Sequence, residues 1–400
     1  MTPKRFMLIA GETSGDMLAA ELVTALRAAI NRQATYSTDL QPLQSDLAPR
    51  FFGAGGPRMA AAGVELAVDM TQHSVIGLMD AVKNYLKFRR LFRQLFALAI
   101  ERQPHAIICV DFSVFNHRFA NHVAQYVRAR RGPFGNWNPR IIKYVSPQVW
   151  ASREKRAYKM ARDFDLLLSI FPFEKPWYAA RVPDFPVEFV GHPIVDRYDL
   201  TQFQKPPLDP RSPLLLLLPG SRPAALERHL PAMLGALKII RAACPEIRAR
   251  TVLPSAALMQ QARGSNLPPD LEVRQGGLAE SLAEATVALA STGTVTMECA
   301  YFGVPTVTFY IASRRDYEIA KRIVKVKSLT MPNLLAGENV FPEFIQAAAT
   351  AESLAGATLE LLRDESRREK VRAKLKEIIA SLGAPGASGR AAEAILRIVP

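Results

Sequence analysis

Cysteine is scarce in this 400-residue sequence, and the three that occur, Cys109, Cys244 and Cys299, lie far apart. An odd, widely spaced set excludes a disulfide framework and predicts buried thiols in a reducing compartment. The six histidines lack metal-ligand spacing and form no cluster with cysteine, so we expect no metal site. The first apolar run is too short for a signal peptide, and no run approaches the ~20 apolar residues of a membrane span. The sequence predicts a cytoplasmic protein, at most peripherally attached to a membrane.

Acidic residues are outnumbered, because 37 Asp plus Glu stand against 51 Lys plus Arg, which gives a formal net charge of +14. This excess favours an anionic partner: a nucleic acid, a phosphate-rich substrate or an acidic membrane surface. A basic surface that serves only solubility is the alternative, and charge alone does not decide. The basic residues accompany no recognised nucleic-acid module, so we expect no nucleic-acid partner.

Two common phosphate-binding patterns are absent from the first strand–turn–helix segment, FMLIAGETSGDML (residues 6–18). The apolar run ends at Gly11, and the rest of GETSGD follows before helical periodicity begins. The segment has neither the GxGxxG pattern of a dinucleotide loop nor the Lys of a Walker A loop. It still has the form of a strand end at which α/β proteins bind ligands.

Short apolar runs alternate with helical sequence along the chain. The first series is FMLIA (6–10), AIICV (106–110), RIIKYV (140–145), DLLLSI (165–170) and VEFV (187–190), and the second is LLLLL (214–218), RARTVLP (248–254), ATVALA (285–290) and VPTVTFY (304–310). Continuous apolar strands between helices predict parallel sheets covered on both faces. We therefore expect an α/β fold with two doubly wound, Rossmann-like domains facing a central cleft.

The proline-rich stretch TQFQKPPLDPRSP, residues 201–213, separates the two series and predicts an interdomain linker. The predicted N-terminal domain therefore spans residues 1–200, and the C-terminal domain spans residues 214–352. The remaining tail, residues 353–400, has helical periodicity and many basic residues.

Polar residues follow nearly every predicted strand, at the carboxyl ends where open parallel sheets bind ligands. Asp111 is the carboxylate that stands directly at a strand end, where it can act as general base for a hydroxyl nucleophile. A helix N-cap or a turn is the alternative role, and position alone favours neither. His192, in the sequence GHP, is expected to face the cleft, although a lone histidine is more often structural.

Two turns in the C-terminal half suit a nucleotide diphosphate. The segment STGTVTMECA (291–300) places a Gly/Thr-rich turn at a helix start, where free N–H groups and the helix dipole attract phosphate. Glu298, just inside that helix, can reach a ribose hydroxyl, and PGSR (219–222) adds a second turn with the guanidinium of Arg222. Either turn alone is an ordinary helix start, but the pair favours a nucleotide diphosphate.

Residues 81–100, AVKNYLKFRRLFRQLFALAI, predict a basic amphipathic helix without acidic residues. Its aromatic side chains gather on one face and its cations elsewhere; the candidate residues are Tyr85, Phe88, Phe92, Phe96, Arg89, Arg90 and Arg93. Such a helix can lie on an anionic membrane or cradle an acylated phosphate. The alternative is that its apolar face packs on the core of its own domain.

Six motifs occur in order along the chain: GETSGDML, YVSPQVWASR, FPFEKPWY, VGHP, LLPGSR and MPNLLAG. In this combination the sequence resembles the lipid-A-disaccharide synthase family over essentially its whole length. The resemblance implies a family-19 glycosyltransferase with the GT-B fold that uses neither a metal nor a cofactor. Its implied substrates are UDP-2,3-diacylglucosamine and 2,3-diacylglucosamine 1-phosphate, joined by a β-1,6 bond with release of UDP. The implied location is the cytoplasmic surface of the inner membrane, and whether the chain forms a homodimer is left open.

The resemblance also implies roles for individual residues. Asp111 matches the family's essential aspartate and would deprotonate the 6-hydroxyl of the acceptor. The donor-side set, expected to bind UDP, is Arg222, Ser221, Gly220, Thr292, Gly293, Thr294, Glu298 and Asn333. The acceptor-side set is Glu12, Ser14, Gly15, Ser146, Gln148 and His192. The basic amphipathic helix matches the family's region for membrane docking and acyl-chain entry, and the tail helices would return to the N-terminal domain.

Three positions depart from the family pattern. Val114 stands where a second Asp is common, Ser152 where an aromatic residue is usual, and Ala225 where a Glu is expected. None removes the expected base, so we predict activity, with the acceptor preference open to change. One alternative is another inverting UDP-sugar transferase or epimerase of the same fold, such as the murein lipid-linked GlcNAc transferase. The other is a degenerate homologue that binds acylated sugar phosphates without turnover.

Overall fold

The structure is a computed structural model, which describes residues 3–37, 48–70, 85–132, 135–203 and 212–399, apart from the side chains of residues 34–37 and 85. The chain divides into two compact units: Met1–Pro193 with Gly383–Pro400, and Ile194–Leu382. Each unit is built on its own parallel sheet, which confirms the predicted α/β class with two parallel-sheet domains. Of the predicted elements, residues 204–211 of the linker, residues 81–84 of the amphipathic helix and the side chain of Tyr85 lie outside the described residues.

The sheet of the first unit has seven parallel strands. They are β1 (Arg5–Ala10), β2 (Arg50–Gly55), β3 (Glu65–Asp69), β4 (Ala106–Val110), β5 (Arg140–Tyr144), β6 (Leu166–Ser169) and β7 (Val187–Phe189). Their order across the sheet is β3-β2-β1-β4-β5-β6-β7, which places β1 and β4 side by side near its centre. All five residues of β4 are buried, because helices cover both faces of a central parallel strand.

Helices on the two faces of this sheet complete the first unit. The first seven are α1 (Thr13–Ser37), α2 (Pro57–Ala61), α3 (Tyr85–Arg102), α4 (Ser113–Ala129), α5 (Val149–Ser152), α6 (Arg156–Asp163) and α7 (Glu174–Ala179). On one face, Leu91 and Leu95 of α3 and Phe115 and Phe119 of α4 join the inward-facing strand residues in one buried apolar cluster. This face therefore depends on the apolar stripes of α3 and α4.

The second unit repeats the doubly wound plan with six strands. They are β8 (Leu214–Leu218), β9 (Arg248–Leu253), β10 (Glu272–Gln275), β11 (Val287–Ser291), β12 (Thr306–Tyr310) and β13 (Glu343–Ile345), in the order β10-β9-β8-β11-β12-β13. The accompanying helices are α8 (Ile194–Arg197), α9 (Pro223–Ala243), α10 (Ala256–Arg263), α11 (Leu278–Glu284), α12 (Val295–Tyr301), α13 (Arg314–Ile323), α14 (Met331–Ala336), α15 (Ala351–Arg363) and α16 (Glu365–Ser381), with short 3₁₀ turns at Leu200–Gln202 and Gln346–Ala348. Separate apolar clusters fill the two faces of this sheet.

The chain ends in α17 (Ala387–Ile398), which belongs to the first unit and packs against α1. Lys4 Nζ donates to the carbonyl of Val399 at 3.2 Å, and Arg140 Nε donates to the carbonyl of Ile398 at 3.1 Å. The division differs in detail from the sequence prediction. The first unit ends at Pro193 instead of residue 200, and α15 and α16 of the predicted tail lie within the second unit.

Candidate functional site

The backbone bends sharply where β4 ends. Asp111 and Phe112 have positive φ angles of 43° and 44°, a left-handed conformation that residues other than glycine rarely adopt. Gly11, at the end of the adjacent β1, makes room for this bend, because a Cβ added there would lie 2.1 Å from Cγ of Phe112. The bend leaves the Asp111 side chain partly exposed at the carboxyl end of a central strand.

Two buried polar side chains hold this bend. Asn116 is fully buried, and its Nδ2 donates to the carbonyls of Ile9 at 3.1 Å, Val110 at 3.1 Å and Asp111 at 2.9 Å. Lys143 of β5 is 2% exposed, and its Nζ also donates to the Asp111 carbonyl. Burial lowers the pKa of the Lys143 ammonium, while the nearby Asp111 charge opposes that shift.

The GETSGD segment, whose last four residues begin α1, adjoins this bend through Gly15. A Cβ added at Gly15 would lie 3.8 Å from Cβ of Asp111, which is ordinary contact distance. Glu12, which precedes α1, and Ser14, in the first turn of α1, are both partly exposed. The structure therefore brings the GETSGD segment and Asp111 together at the carboxyl ends of two central strands.

Asp16, the last residue of GETSGD, has a different function. It is 1% exposed, and its carboxylate accepts hydrogen bonds from the backbone N–H groups of Gly56 at 2.8 Å, Arg58 at 3.0 Å and Met59 at 3.0 Å. These groups form the N-terminal turn of α2, whose unpaired donors favour a negative charge. Asp16 thus joins the first turn of α1 to the first turn of α2.

The SPQVW and FPFEK motifs meet in one hydrogen-bonded network at the ends of β5 and β6. Glu174 is 1% exposed and accepts from Trp150 Nε1 at 3.1 Å and from Ser169 Oγ at 2.8 Å. The Ser146 and Tyr178 hydroxyls lie 3.1 Å apart beside it. Burial raises the pKa of the Glu174 carboxyl to about 7, although its hydrogen bonds oppose this shift.

The other acceptor-side candidates differ in accessibility. Ser146 is buried within the Glu174 network, where its hydroxyl contacts Tyr178 and is shielded from solvent. Gln148 is exposed at the N-terminus of α5. His192 is 9% exposed, and its ring lies 5.2 Å from the ring of Phe171. Of these three, Gln148 is the most accessible to a ligand.

The aromatic residues of α3 pack inward instead of forming a free surface. Phe92 lies 5.7 Å from Phe115 and 5.5 Å from Phe119, and Phe96 lies 4.4 Å from His122. Phe88 is partly buried against the same cluster. This corrects the expectation of an aromatic membrane face, because the rings cover the core of the first unit. The exposed surface of α3 is instead cationic and includes Lys87, Arg89, Arg90 and Arg93.

In the second unit, the two predicted anion-binding turns lie side by side at the ends of β8 and β11. Gly220 has a φ of 114°, and a Cβ added there would lie 3.1 Å from Oγ of Ser291. Arg222 is the N-cap of α9 and is exposed, as is Ser221. Gly293 has a φ of 142° with open space around it, and Thr294 is the N-cap of α12. The structure thus brings PGSR and STGT together.

A buried histidine links the PGSR turn to the end of β12. His229 is 1% exposed; its Nδ1 lies 2.8 Å from the Pro219 carbonyl, and its Nε2 accepts from the Ile311 N–H at 3.2 Å. These two bonds assign the neutral tautomer protonated at Nδ1. Burial lowers the pKa of His229, which keeps the ring neutral.

Glu298 lies in the first turns of α12, where its Oε1 accepts from the Tyr198 hydroxyl at 2.8 Å. Burial raises the pKa of Glu298, and this hydrogen bond opposes the shift. Asn333 is 2% exposed, and its amide bonds both the N–H of Phe341 at 2.8 Å and the carbonyl of Phe341 at 2.9 Å. Asn333 therefore ties α14 to the backbone of Phe341, whereas the sequence analysis expected it to contact a diphosphate.

Among the described residues, no group of three or more His, Cys, Asp or Glu side chains is arranged to hold a metal ion. None of the described helices is both long and apolar enough to cross a membrane.

The three departures from the family pattern lie near these loops. Val114 is 59% exposed in the first turn of α4, next to the Asp111 bend. Ser152 ends α5 and is partly exposed. The Cβ of Ala225 would lie 3.4 Å from a Cβ added at Gly220, so a small side chain suits the close approach of α9 to the PGSR turn.

Five supporting residues were not singled out as site residues from the sequence: Asp16, Asn116, Lys143, Glu174 and His229. Two signals could have found some of them. Lys143 is the charged residue inside the apolar run RIIKYV, and Glu174 lies within the FPFEK motif. Their partners come from distant parts of the chain, which periodicity does not reveal.

Comparison with known sequences gives a consistent picture. The family model described as Lipid-A-disaccharide synthetase matches residues 6–398. The Lipid-A-disaccharide synthase of Trichlorobacter lovleyi is 34% identical over 408 residues, which cover 99% of this chain and 98% of that protein. The protein of the same name from Geobacter metallireducens is also 34% identical, over 410 residues that cover 99% and 97% of the two chains.

Comparison with solved structures supports the fold. The glycosyltransferase of kitacinnamycin superposes with a TM-score of 0.64 at 19% identity, with full coverage of both chains. The calicheamicin glycosyltransferase CalG4 gives a TM-score of 0.60 at 17% identity, also with full coverage. At these identities the likeness concerns the fold alone, which is the GT-B class with two parallel-sheet domains.

Proposed function

The chain belongs to the lipid-A-disaccharide synthase family, and on that premise we propose which of its residues perform the reaction. It is a glycosyltransferase of lipid A biosynthesis. The family's reaction transfers 2,3-diacylglucosamine from UDP-2,3-diacylglucosamine to the 6-hydroxyl of 2,3-diacylglucosamine 1-phosphate. Its products are the β-1,6-linked disaccharide 1-phosphate and UDP.

Asp111 is the general base of this transfer. Its carboxylate takes the proton of the acceptor 6-hydroxyl while that oxygen bonds to the anomeric carbon of the donor. The bond from the anomeric carbon to UDP breaks on the opposite face, so the configuration inverts and one base suffices. The observation that carries this role is the left-handed bend at Asp111, held by Asn116 and Lys143. Backbone strain at a strand end is typical of residues held for function.

The donor nucleotide binds at the paired turns of the second unit. Arg222 and the amides of Gly220 and Ser221 meet the diphosphate, together with the amides of Thr292, Gly293 and Thr294. They stabilise the negative charge that develops on UDP as it leaves. Glu298 bonds a ribose hydroxyl with the oxygen that Tyr198 does not occupy. Asn333 acts indirectly, by holding the N–H and carbonyl of Phe341.

The acceptor sugar binds beside Asp111. Glu12 and Ser14 are partly exposed and bond its hydroxyls, and Gly15 allows the backbone to approach closely. Gln148 adds an exposed amide, whereas Ser146 and His192 shape the loops from within.

The acylated substrates favour a peripheral position on the cytoplasmic surface of the inner membrane. Arg89, Arg90 and Arg93 are exposed on α3, and Leu86 is 75% exposed at its start. Cations beside an apolar side chain suit an anionic bilayer surface, where each contributes about 1 kcal/mol. A homodimer stays a prediction.

The role of Asp111 is tested by replacing it with Asn. We expect Asp111→Asn to lower kcat by about 10²- to 10⁴-fold, because a neutral amide cannot take the proton. The matched control is Asp184→Asn, which removes an exposed carboxylate at the opposite, amino ends of the strands. UDP affinity, measured by calorimetry, should be unchanged in both variants. A kcat for Asp111→Asn within tenfold of the wild type would exclude Asp111 as the base.

A further inference from the structure

Lys143 is a charged residue inside a central sheet. It lies in β5, where the register pairs it with Cys109 of β4 and Leu167 of β6, and its side chain is 2% exposed. Burying an amine among apolar neighbours is unfavourable unless it gains a specific partner. The partner is the main-chain carbonyl of Asp111, to which Nζ donates.

Asp111 is the anionic group that faces this amine. Among the described residues, the titratable groups that interact with the Lys143 charge are Asp111 and Cys109. Burial raises the pKa of the Cys109 thiol to about 12, so the thiol stays uncharged. Lys143 therefore interacts with Asp111 twice, through the backbone carbonyl and through the side-chain charge.

Lys143 supports a left-handed backbone conformation that residues other than glycine rarely adopt. Asp111 and Phe112 both have positive φ angles, and this pair of left-handed residues turns the strand into α4. Asn116 bonds the same carbonyl from the α4 side. The Asn116 Oδ1 atom is buried without a hydrogen-bond partner among the described residues, so its nitrogen side determines its orientation. Two donors on different elements thus converge on one carbonyl.

We propose that Lys143 is a positioning residue for Asp111: its amine fixes the Asp111 carbonyl, and with it the direction in which the carboxylate meets the acceptor hydroxyl. The inference rests on the proposed role of Asp111 as general base. A displacement of about 1 Å between reacting groups can cost a factor of about 10² in rate. Lys143 should therefore affect kcat and leave nucleotide binding unchanged.

Three variants separate this role from a structural one. Lys143→Met fills the space without a donor, Lys143→Gln keeps a neutral donor, and Ile142→Val trims a buried neighbour in the same strand. The measurements are kcat and KM for both substrates, and the dissociation constant of UDP. Folding is checked by thermal melting. If Lys143→Met does not fold, Lys143→Gln carries the test, with a lowered kcat at unchanged KM as the expected result.

We expect Lys143→Met to lower kcat by about 10- to 100-fold, while KM and the UDP dissociation constant stay within threefold. Lys143→Gln should recover part of that loss. Ile142→Val should match the wild type.

The double variant Asp111→Asn/Lys143→Met distinguishes failure of the Lys143 proposal from failure of the proposed role of Asp111. If Lys143 acts through Asp111, the double variant is no slower than Asp111→Asn alone. A further drop by the full Lys143→Met factor, or a Lys143→Met kcat equal to that of Ile142→Val, overturns the inference. Substantial turnover in Asp111→Asn instead refutes the role of Asp111 itself.

Discussion

Replacing the buried Glu174 with Gln should change how the protein's stability depends on pH. Glu174 lies at the centre of the network that joins Trp150, Ser169 and Ser146. Burial raises its pKa to about 7, against the ordinary value of 4.5 that it regains on unfolding. Folding therefore favours the protonated form of this carboxyl.

The sign and size of the effect follow from that difference. Below pH 4.5 the carboxyl is protonated in both states, and its contribution to stability is fully present. As the pH rises toward about 7, the unfolded chain releases the proton first, so the folded state loses stability. The pKa difference between 4.5 and about 7, at about 1.4 kcal/mol per pKa unit, amounts to roughly 3 kcal/mol above neutral pH. Glu174→Gln has no proton to release and escapes this loss.

Urea denaturation of the wild type and Glu174→Gln between pH 4.5 and 8 measures the effect. The free energy of unfolding of the variant, relative to the wild type, should rise by roughly 3 kcal/mol across this range. Glu227→Gln, which removes an exposed carboxyl of α9, is the control and should give a flat difference. A flat difference for Glu174→Gln would show that the carboxyl titrates normally in the folded protein.

Three further variants test other parts of the structure. Asp16→Ala leaves three backbone N–H groups without their acceptor. It should lower the free energy of unfolding, measured in urea, by about 2–4 kcal/mol. A loss below about 0.5 kcal/mol would contradict the structural role of Asp16. Arg222→Ala should weaken UDP binding, measured by calorimetry, by about 10- to 100-fold, because a charge-assisted bond to phosphate is lost. Unchanged affinity would show that Arg222 does not contact the nucleotide. The double variant Arg89→Gln/Arg90→Gln should bind vesicles containing anionic lipid about 30-fold more weakly, and equal binding would exclude α3 from the membrane contact.

The sequence predicted the central strands well because they are buried on both faces. The runs AIICV and LLLLL coincide with β4 and β8, and every residue of those strands is buried. Four strands were not among the predicted runs: the edge strands β3, β10 and β13, and the interior strand β2. The three edge strands are short and partly exposed, so they carry no continuous apolar run. The β2 sequence, RFFGAG, is interrupted by two glycines. A periodicity argument is weakest where only one neighbour pairs with the strand.

The loops of the site were found by their position at strand ends, but several side-chain environments were not. Gly15 lies beside Asp111, and Gly220 beside Ser291, as the strand-end rule leads one to expect. The rule does not show which polar side chains become buried partners of the backbone. Asn333 and Ser146 were predicted to meet ligands, yet their partners are Phe341 and Tyr178. Those contacts depend on tertiary packing.

The aromatic residues of α3 illustrate the same limit. An amphipathic pattern of aromatic and basic residues is common to core helices and membrane-surface helices. Only the contacts of Phe92 and Phe96 with the rings of α4 decide which face is buried. What remains exposed is the cationic side, so charge is the property that favours a membrane surface.

The most direct measurement of the central claim is UDP release from UDP-2,3-diacylglucosamine, with and without 2,3-diacylglucosamine 1-phosphate, in detergent and EDTA. We predict release that requires the acceptor and proceeds equally with EDTA, since the proposed chemistry uses Asp111 and the donor-site turns without a metal. Absence of release from a folded protein that still binds UDP would contradict the synthase assignment and favour binding without turnover. Release that EDTA abolishes would contradict the metal-independent mechanism.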